Sequence, residues 1–510
     1  MKRTVAIAAS ATLAGTLLTG IASPTARARD TAPAAAQAPS ISWKACTDER
    51  LREAKARCGF LSVPLNHAAP DGRKIKIAVS RIKATARAAK RQGPMLINPG
   101  GPGGSGLGMS AYLAGALPRK VAATYDLIGF DPRGVGDSKP ALRCKAGYAK
   151  GPRPDFVPVT GPLQAPGANE RAWLRRSKAY ADGCAKHNGD LLPFLRTEDA
   201  ARDMDLLRQA LGAEKINYYG FSYGTYLGSV YATLFPTHTR RMVFDGVVDP
   251  RQVWYRGQLA QDRAFEIAMG KFWSWVAKYN GTYKLGRTAA AVEKRYYADQ
   301  NKLRKKPVGQ IGPAEWNDTF LGAGYAQFLW PDTAKNWAAW KRGNHKPIQR
   351  GYADDTADYD NGYGMYVAVQ CVDVRWPDDY AQWRRDAFAT AANSPFLTWG
   401  NVWFNTPCLY WGTPAGRPVP IDGSHTPELL LVSTTLDAAT DFGGALEIRR
   451  QFPNSALVAE VGNTTHANTL NGNPCVDSAV IRYLRSGHLP ERKFGTGPDV
   501  NCKRSPLPKP

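Results

Sequence analysis

The chain has 510 residues, more than one hydrophobic core usually serves, so we expect one large domain carrying a substantial insertion, or two domains. Hydrophobic residues make up 43% of the sequence, which is typical of a globular protein. The net charge of +24 comes from basic residues that interleave with acidic ones and form no recognised binding motif. This argues against a nucleic-acid-binding protein and favours a solvated basic surface.

The N-terminus has the features of a secretory signal peptide. Two basic residues precede a run of apolar and small residues, and an Ala-Arg-Ala cleavage site ends at Ala28. We therefore predict a signal peptide at 1–28, a disordered leader or pro-segment at 29–40, and a secreted, extracellular protein. No other apolar run approaches membrane-spanning length, so no membrane insertion is expected. The basic surface would promote adhesion to anionic cell-wall polymers, and the oligomeric state stays open.

The sequence contains eight cysteines, which an oxidising destination would turn into as many as four disulfides. They are Cys46, Cys58, Cys144, Cys184, Cys371, Cys408, Cys475 and Cys502. Spacing alone does not determine the pairing, and the simplest scheme joins neighbours in that order. Because no C-x-x-C pair is present, a zinc cluster is not expected, and the sequence predicts neither a metal site nor a cofactor.

A glycine-rich loop follows the first predicted strands. Alternating segments at 60–65 and 75–79 predict an antiparallel edge hairpin, and a short buried strand at 94–97 runs into the loop NPGGPGGSG at 98–106. Glycines let main-chain N–H groups approach a ligand closely, whereas a flexible linker would not stand between a buried strand and an apolar segment. A phosphate-binding loop is the rival interpretation, but no Gly-Lys-Ser/Thr sequence follows.

The stretch GFSYG at 220–224 is the centre of the predicted site. It follows an apolar strand that begins at Ile216 and precedes a helix predicted at 225–235, which is the pattern of a nucleophile elbow. Such a turn strains the main chain at the serine, and glycines two positions before and after it avoid collisions. The alternative is an ordinary glycine-containing turn. We predict that Ser222 is a nucleophile and that the Tyr223 amide faces an oxyanion.

The other elements predict strands that alternate with helices. Before the elbow we expect a strand at 126–130 and a helix that Thr197 caps and that continues to Leu211. Later strands are expected at 242–244, 428–434 and 456–461, with a closing helix at 476–485. Alternation of this kind predicts an α/β fold with a doubly wound, mostly parallel sheet that binds ligands at the carboxyl ends of its strands.

The stretch between about 250 and 397 differs in character from its surroundings. Helix-like amphipathic segments dominate it, including 261–279 and 319–340, and tryptophans are frequent. We interpret it as a helical cap inserted over the carboxyl edge of the sheet. The main fold then consists of two parts, at 41–249 and 398–510.

A hydrolase of this fold would take its acid and its histidine from later in the chain than its serine. His466 lies in the loop after the last predicted strand, and Asp437 lies just past the strand before it. Asp437 could instead cap a helix, and Asp441 is the alternative acid. In the predicted mechanism His466 takes the proton of Ser222, and Asp437 orients and stabilises the imidazole.

Several motifs resemble those of one known family. They are the loop at 98–106, GFDPRG at 129–134, GFSYGT at 220–225, the Asp-Gly pair at 245–246, Asp437, His466 and the cysteine-bounded C-terminal segment. With these motifs the chain resembles the secreted tripeptidyl aminopeptidases of actinobacteria, within the proline-iminopeptidase-like group of α/β-hydrolase serine peptidases. The resemblance implies an α/β-hydrolase fold with an inserted cap, and it places Gly101 at the second oxyanion position.

The resemblance also implies an activity. Relatives of this kind release short N-terminal peptides, so we expect a serine exopeptidase that frees tripeptides through an acyl-enzyme. Two departures from proline iminopeptidases, Pro99 at the start of the loop and Tyr223 after the serine, argue against release of single prolines. The expected partners are peptides with a free N-terminus.

An exopeptidase needs an anion at the closed end of its cleft to hold the substrate ammonium. Acidic residues of the predicted cap are candidates, among them Asp262, Glu266, Glu315 and Asp373. Of these we select Asp373 and Glu266 as predicted substrate-binding residues, since Cys371 could tether Asp373.

Two other functions are compatible with the sequence. A secreted esterase or lipase would use the same three residues, and its rates on an ester and on a tripeptide amide would identify it. A catalytically dead hydrolase that serves as a binding module is the second alternative. Such proteins usually lose one of the three residues, whereas all three are present here.

Overall fold

The computed structural model describes residues 39–149, 153–353 and 357–510. The predicted signal peptide at 1–28 and all but the last two residues of the predicted leader at 29–40 lie outside these ranges. Within them, no helix is long and apolar enough to cross a membrane.

One ten-stranded sheet forms the centre of the described chain. Its strands are β1 (Lys44–Ala45), β2 (Arg57–Pro64), β3 (Lys74–Ile82), β4 (Gly93–Asn98), β5 (Tyr125–Asp131), β6 (Ile216–Phe221), β7 (Thr239–Asp245), β8 (Leu429–Thr434), β9 (Ser455–Val461) and β10 (Val500–Lys503). Their order across the sheet is β1-β2-β3-β5-β4-β6-β7-β8-β9-β10. The pairs from β1 to β5 are antiparallel, as the predicted hairpin required, and all later pairs are parallel.

The strand order reverses at β4, which lies between β5 and β6. The glycine-rich loop leaves the carboxyl end of β4, and Ser222 follows the carboxyl end of β6. A reversal of this kind opens a crevice at the carboxyl ends of the two strands, which is where parallel sheets bind ligands. The topology therefore brings the two glycine-rich stretches of the sequence to one place.

The central strands are buried along their whole length. Every residue of β6 and of β8 is buried, because helices cover both faces of a parallel sheet. The strand β2, which lies next to the short edge strand β1, instead alternates between buried and exposed residues over much of its length. This difference explains why continuous apolar runs predicted the central strands and alternation predicted the hairpin.

Helices cover the sheet and form a separate layer. The helices outside the predicted cap are α1 (Glu49–Glu53), α2 (Met109–Ala116), α3 (Arg119–Ala122), α4 (Ala168–Asn188), α5 (Thr197–Ala210), α6 (Tyr223–Leu234), α15 (Thr398–Asn405), α16 (Phe442–Gln451) and α17 (Pro474–Ser486). Those within it are α7 (Tyr255–Lys278), α8 (Asn280–Tyr283), α9 (Ala289–Lys305), α10 (Pro313–Tyr325), α11 (Trp330–Lys341), α12 (Lys346–Ala353), α13 (Ala357–Asp373) and α14 (Tyr380–Ala391).

The helices α7 to α15 all lie between β7 and β8, as expected for an insertion. Many of their aromatic side chains form a hydrophobic cluster of their own, which includes Phe272, Trp273 and Trp337. The predicted single helix at 319–340 is wrong: α10 ends at Tyr325 and α11 begins at Trp330. Pro331 explains the break, because proline lacks an N–H and collides with the preceding turn of a helix.

The four disulfides join neighbouring cysteines and confirm the simplest pairing. They are Cys46–Cys58, Cys144–Cys184, Cys371–Cys408 and Cys475–Cys502.

Two local predictions were wrong or incomplete. Arg196, not Thr197, is the cap of α5, and the edge strand β10 had not been predicted.

Candidate active site

Ser222 occupies the turn between β6 and α6 in a strained conformation. Its φ is 56° and its ψ is −127°, values that residues with a side chain rarely adopt. Its main-chain amide donates a hydrogen bond of 2.9 Å to the carbonyl of Asp245. A β-carbon added at Gly220 would lie 2.6 Å from the carbonyl oxygen of Gly224, so the turn requires glycine there. The residues at 220–224 thus have the geometry of a nucleophile elbow.

The glycine-rich loop lies directly against this elbow. A β-carbon added at Gly100 would come within 2.8 Å of the Ser222 β-carbon and 3.1 Å of the Tyr223 main-chain nitrogen. The φ of Gly100 is also 96°, a conformation that favours glycine. Glycine at this position therefore lets the loop, and Gly101 with it, approach the serine.

His466 pairs with Asp437 across the two loops that follow β8 and β9. Its Nδ1 lies 2.8 Å from Oδ2 and 3.0 Å from Oδ1 of Asp437. The carboxylate is buried and accepts further hydrogen bonds from the amides of Ala439 (2.9 Å) and Thr440 (3.0 Å) and from the Thr440 hydroxyl (3.1 Å). These bonds fix the acid, which in turn fixes the plane of the imidazole ring.

The surroundings of His466 favour its protonated form. Burial alone lowers the pKa of the imidazole, but the charge and hydrogen bond of Asp437, with a smaller contribution from Asp245, raise that pKa above its ordinary value of 6.5. A histidine that accepts a proton from a serine hydroxyl needs this stabilisation of its cation. The pair can therefore act as a general base and its orienting acid.

The helical layer is bonded to the histidine loop. The main-chain amide of His466 donates to the carbonyl of Tyr325 at 2.8 Å. The amide of Gln327 donates to the Thr465 hydroxyl (3.1 Å), and its side chain donates to the Thr464 hydroxyl (3.2 Å). The rings of Tyr325 and His466 also meet edge to face, with centroids 5.9 Å apart. Sequence reasoning missed these contacts, because they join residues far apart in the chain.

Ser222 opens into a cavity of about 360 Å³ between the sheet and the helical layer. Gly101, Tyr223, Tyr325 and Thr440 line it beside the serine. Aromatic side chains form much of the remaining wall, namely Tyr148, Phe156, Trp173, Tyr359, Tyr366, Trp403 and Phe404. The acidic residues on the wall are Asp249, Asp318 and Asp441. Pockets of this size and composition bind small ligands or short peptide segments.

Comparisons with known proteins identify the family. The family described as alpha/beta hydrolase fold matches residues 93–468. The chain belongs to the α/β hydrolases. This membership and the parallel sheet confirm the predicted fold class.

Three relatives of this α/β hydrolase carry informative names. A tripeptidyl aminopeptidase of Streptomyces lividans is 38% identical over 499 residues, which cover 95% of this chain and 90% of the relative. A carboxylesterase B of Mycobacterium tuberculosis is 33% identical over 90% of this chain and 91% of the relative. A serine protease of the same species is 29% identical over 88% of this chain and 89% of the relative. The first of them confirms the resemblance that the motifs indicated.

Asp441, the alternative acid, has a different environment in this α/β hydrolase. Its side chain accepts a hydrogen bond of 2.6 Å from the amide of Gly443 and so caps the N-terminus of α16. The sequence allowed Asp437 to be the N-cap residue of a helix, and in the structure Asp441 has that role. The described hydrogen bonds place Asp437, and not Asp441, against His466.

The two predicted substrate-binding acids are engaged inside the protein. The Asp373 carboxylate accepts hydrogen bonds from the Thr197 amide (2.7 Å), the Thr197 hydroxyl (2.6 Å) and the Trp254 indole (3.2 Å). Glu266 accepts from the amide of Phe396 at 3.0 Å. Neither acid is among the described residues that line the cavity, so the structure does not bring them to Ser222. Their role in binding the substrate ammonium stays a prediction.

Asp373 nevertheless reaches the elbow through another residue. The Thr197 hydroxyl that it holds also lies 2.8 Å from the phenolic oxygen of Tyr223. Burial raises the pKa of Asp373 to about 6, and the bonds from Thr197 and Trp254 oppose that rise. The carboxylate therefore joins α13 of the helical layer to the residue after the nucleophile.

The described residues contain no group of three or more His, Cys, Asp or Glu side chains arranged to hold a metal ion. Ser222, Asp437, His466 and the neighbouring main-chain amides of Tyr223 and Gly101 are the groups suited to chemistry at this edge of the sheet. A strained serine and an imidazole oriented by a carboxylate are components of acyl transfer.

Proposed function

We propose that this α/β hydrolase is a serine aminopeptidase that releases short N-terminal peptides, tripeptides above all, from peptides with a free N-terminus. The observation that carries the proposal is the 2.8 Å contact between His466 and Asp437, in a structure whose Ser222 occupies a strained turn after β6. The name of the Streptomyces lividans relative, a tripeptidyl aminopeptidase that matches 95% of this chain, supports the substrate class.

In the proposed mechanism the Ser222 hydroxyl attacks the carbonyl of the scissile peptide bond, and Nε2 of His466 takes its proton. Asp437 holds the Nδ1–H and stabilises the imidazolium. The amides of Tyr223 and Gly101 donate to the oxyanion of the tetrahedral intermediate. The imidazolium then protonates the leaving amine, and the C–N bond breaks to give an acyl-enzyme. Water repeats the sequence, releases the N-terminal fragment as a carboxylic acid and restores Ser222.

The small cavity supports an exopeptidase. A volume of about 360 Å³ lies near the lower limit for ligand pockets and holds only a few residues of peptide. A cavity of this size holds a short segment near a peptide end more readily than a long internal segment, which favours cleavage near the N-terminus.

Product identification tests this function. Wild-type protein and the Ser222→Ala variant would be incubated with a hexapeptide that has a free N-terminus, and the products identified by mass. The wild-type protein should release an N-terminal fragment of three residues, and the variant should release none above the rate of the buffer. Internal cleavage at several sites, or equal rates for the two proteins, would overturn the proposal.

An esterase is the second candidate function. The relative named carboxylesterase B, which is 33% identical over 90% of this chain, supports it, and the same serine would attack an ester. The values of kcat/KM for a short-chain ester and for a tripeptide amide with a free amino group separate the two functions. A peptidase should discriminate strongly between the free and the acetylated tripeptide amide, whereas an esterase should cleave neither at a useful rate.

We also propose the predicted division of the chain, with core segments at 41–249 and 398–510 and a helical cap at 250–397. The separate hydrophobic cluster of the helical layer supports this division. The helices continue to Asn405, eight residues past the predicted boundary. Limited proteolysis near both boundaries, followed by mass analysis, tests it.

Export is a further part of the proposal. The four disulfides fit an oxidising compartment, in which such bonds persist. N-terminal sequencing of protein recovered from the culture medium should place the first residue near 29 or 41. Adhesion to anionic cell-wall polymers, if the basic surface causes it, should disappear as the salt concentration rises.

A further inference from the structure

One edge of the His466 ring is covered by the protein. Its Nδ1 lies 2.8 Å from Asp437 and 3.3 Å from the Thr440 hydroxyl. A β-carbon added at Gly246 would lie 3.0 Å from Nδ1 and 2.8 Å from Cε1, so this glycine packs closely against the same edge. A substrate therefore has to approach the imidazole through Nε2, the atom that exchanges protons in the proposed mechanism.

Tyr325 is an aromatic neighbour of this imidazole. Its ring meets the His466 ring edge to face, with centroids 5.9 Å apart, and it lines the cavity into which Ser222 opens. Its exposed fraction is 39%, whereas Trp273 and Trp337 in the cluster of the helical layer are buried. The protein thus leaves a large part of an aromatic side chain uncovered next to the proposed general base.

Two contacts hold Tyr325 in place. Its main-chain carbonyl accepts the amide of His466 at 2.8 Å, and its ring meets the buried ring of Phe265 edge to face at 5.1 Å. Phe265 packs closely against α10, since a β-carbon added at Gly324 would lie 2.5 Å from its Cε1. A side chain that is already ordered loses little entropy when it binds a ligand, so Tyr325 is suited to form a binding subsite.

The proposed proton transfer determines which part of a peptide lies beside Tyr325. Because His466 protonates the amine that leaves, the nitrogen of the leaving residue must come within about 3 Å of Nε2. The β-carbon of that residue is two bonds further, so its side chain begins within about 6 Å of the imidazole. Tyr325, whose ring centroid is 5.9 Å from that of the imidazole, is within reach of this side chain.

We propose that Tyr325 forms the subsite for the residue that follows the scissile bond and that it selects an apolar or aromatic side chain there. The ring offers a broad apolar surface without a charge, which stabilises side chains of that class. A pair of aromatic side chains contributes an amount that corresponds to about a 2- to 10-fold change in kcat/KM. This inference rests on the proposed aminopeptidase function and names the class of peptide that it cleaves fastest.

Peptides that differ only after the scissile bond test the inference. A hexapeptide with a free N-terminus first identifies the cleaved bond through the masses of its products. The residue after that bond is then alanine in one peptide and phenylalanine in the other, and the two compete in one mixture. The wild-type protein should cleave the phenylalanine peptide with a kcat/KM about 2- to 10-fold higher. The Tyr325→Ala variant should bring this ratio close to one.

The ratio separates a subsite from a structural role of Tyr325. A displaced imidazole would slow the cleavage of both peptides alike and leave the ratio unchanged. Tyr325→Phe keeps the ring and should retain the ratio. Phe328→Ala is the matched control and should retain it too, because Phe328 is 61% exposed but is not among the described residues that line the cavity.

The inference and the function on which it rests fail in different ways. A ratio near one in the wild-type protein, which needs no variant, would overturn the subsite and leave an aminopeptidase. An unchanged ratio in Tyr325→Ala, or loss of the ratio in Phe328→Ala, would also overturn the role of Tyr325. Release of no N-terminal fragment from any peptide would overturn the aminopeptidase itself.

Discussion

The carboxylate of Asp245 accepts two hydrogen bonds from Thr469, one from the main-chain amide at 2.8 Å and one from the hydroxyl at 2.6 Å. The carbonyl of the same aspartate accepts the amide of Ser222 at 2.9 Å. Thr469 lies three residues after His466, and its hydroxyl also contacts the phenolic oxygen of Tyr219 on β6. Asp245 thus joins the elbow to the histidine loop, although sequence reasoning had noted it only as part of a motif.

We predict that Asp245 raises the pKa of His466, the proposed general base. Burial raises the pKa of its own carboxyl to about 6, and its negative charge helps to raise the pKa of His466. Removing that charge in Asp245→Asn should lower the pKa of His466, so the acidic limb of the kcat/KM profile should move to lower pH. The profile of wild type and variant between about pH 4 and 9 measures this shift. A limb that moved to higher pH would contradict the prediction.

Removal of the nucleophile should abolish turnover and leave the fold intact. Ser222→Ala deletes one oxygen at the mouth of the cavity, and the expected loss in kcat is roughly 10⁴- to 10⁶-fold. His466→Ala should lose a similar amount, and the double variant should lose little more, because the two groups act as a unit. Rates on a tripeptide amide, with circular dichroism to confirm folding, measure these losses. Additive losses in the double variant would contradict the proposed roles.

The stability of the protein should fall as pH rises from about 4 to 7, in part because of Asp262. This residue is buried, with a hydrogen bond of 2.9 Å from Asn401, and burial raises its pKa from 3.8 to about 7. The unfolded chain therefore loses the proton near pH 4 while the folded protein keeps it up to about pH 7. Each unit of pKa difference corresponds to about 1.4 kcal/mol of unfolding free energy.

The isosteric variant Asp262→Asn checks this cause. It cannot ionise, so its melting temperature should exceed that of the wild-type protein by an amount that grows between about pH 4 and 7 and then stays constant. A difference that shrinks over this range would show that the carboxyl is stabilised in its ionised form.

Asp373 offers a test of the sequence-based substrate role. Replacing it by alanine leaves the Thr197 amide and the Trp254 indole without their acceptor, which should reduce the free energy of unfolding by about 1–3 kcal/mol. If Asp373 acts only through Thr197 and Trp254, the ratio of rates on free and acetylated tripeptide amides should stay at the wild-type value. Denaturant unfolding and the two rates measure both effects. Collapse of the rate ratio in a stable Asp373→Asn variant would favour the sequence-based role.

The elements of the proposed triad could be predicted because each is marked locally. Continuous apolar runs identify β6, β8 and β9, and the glycines around Ser222 identify the sharp turn. Order along the chain then selected Asp437 and His466 from the available acids and histidines. The pairing of neighbouring cysteines was also correct, since each pair closes a short loop.

The contacts between the helical layer and the sheet could not be predicted. The bonds of Tyr325 to His466 and of Asp373 to Thr197 depend on how distant segments pack, and no local pattern encodes them. The strand β10 was not predicted, because it is short and Cys502 is its only buried residue. The break before α11 was predictable, but the regular spacing of apolar residues around Pro331 concealed it.

The distribution of tryptophan makes the two layers spectroscopically distinct. None of the ten described strands contains tryptophan, whereas nine of the 14 tryptophans of the sequence lie at 250–397. Intrinsic fluorescence therefore reports mainly on the helical layer, and tyrosine-rich β6 contributes to absorbance but not to selectively excited emission. If the layers melt separately, calorimetry should show two transitions, and the emission should change mainly at one of them. The protein thus carries a built-in optical probe of its helical layer, and no label is needed.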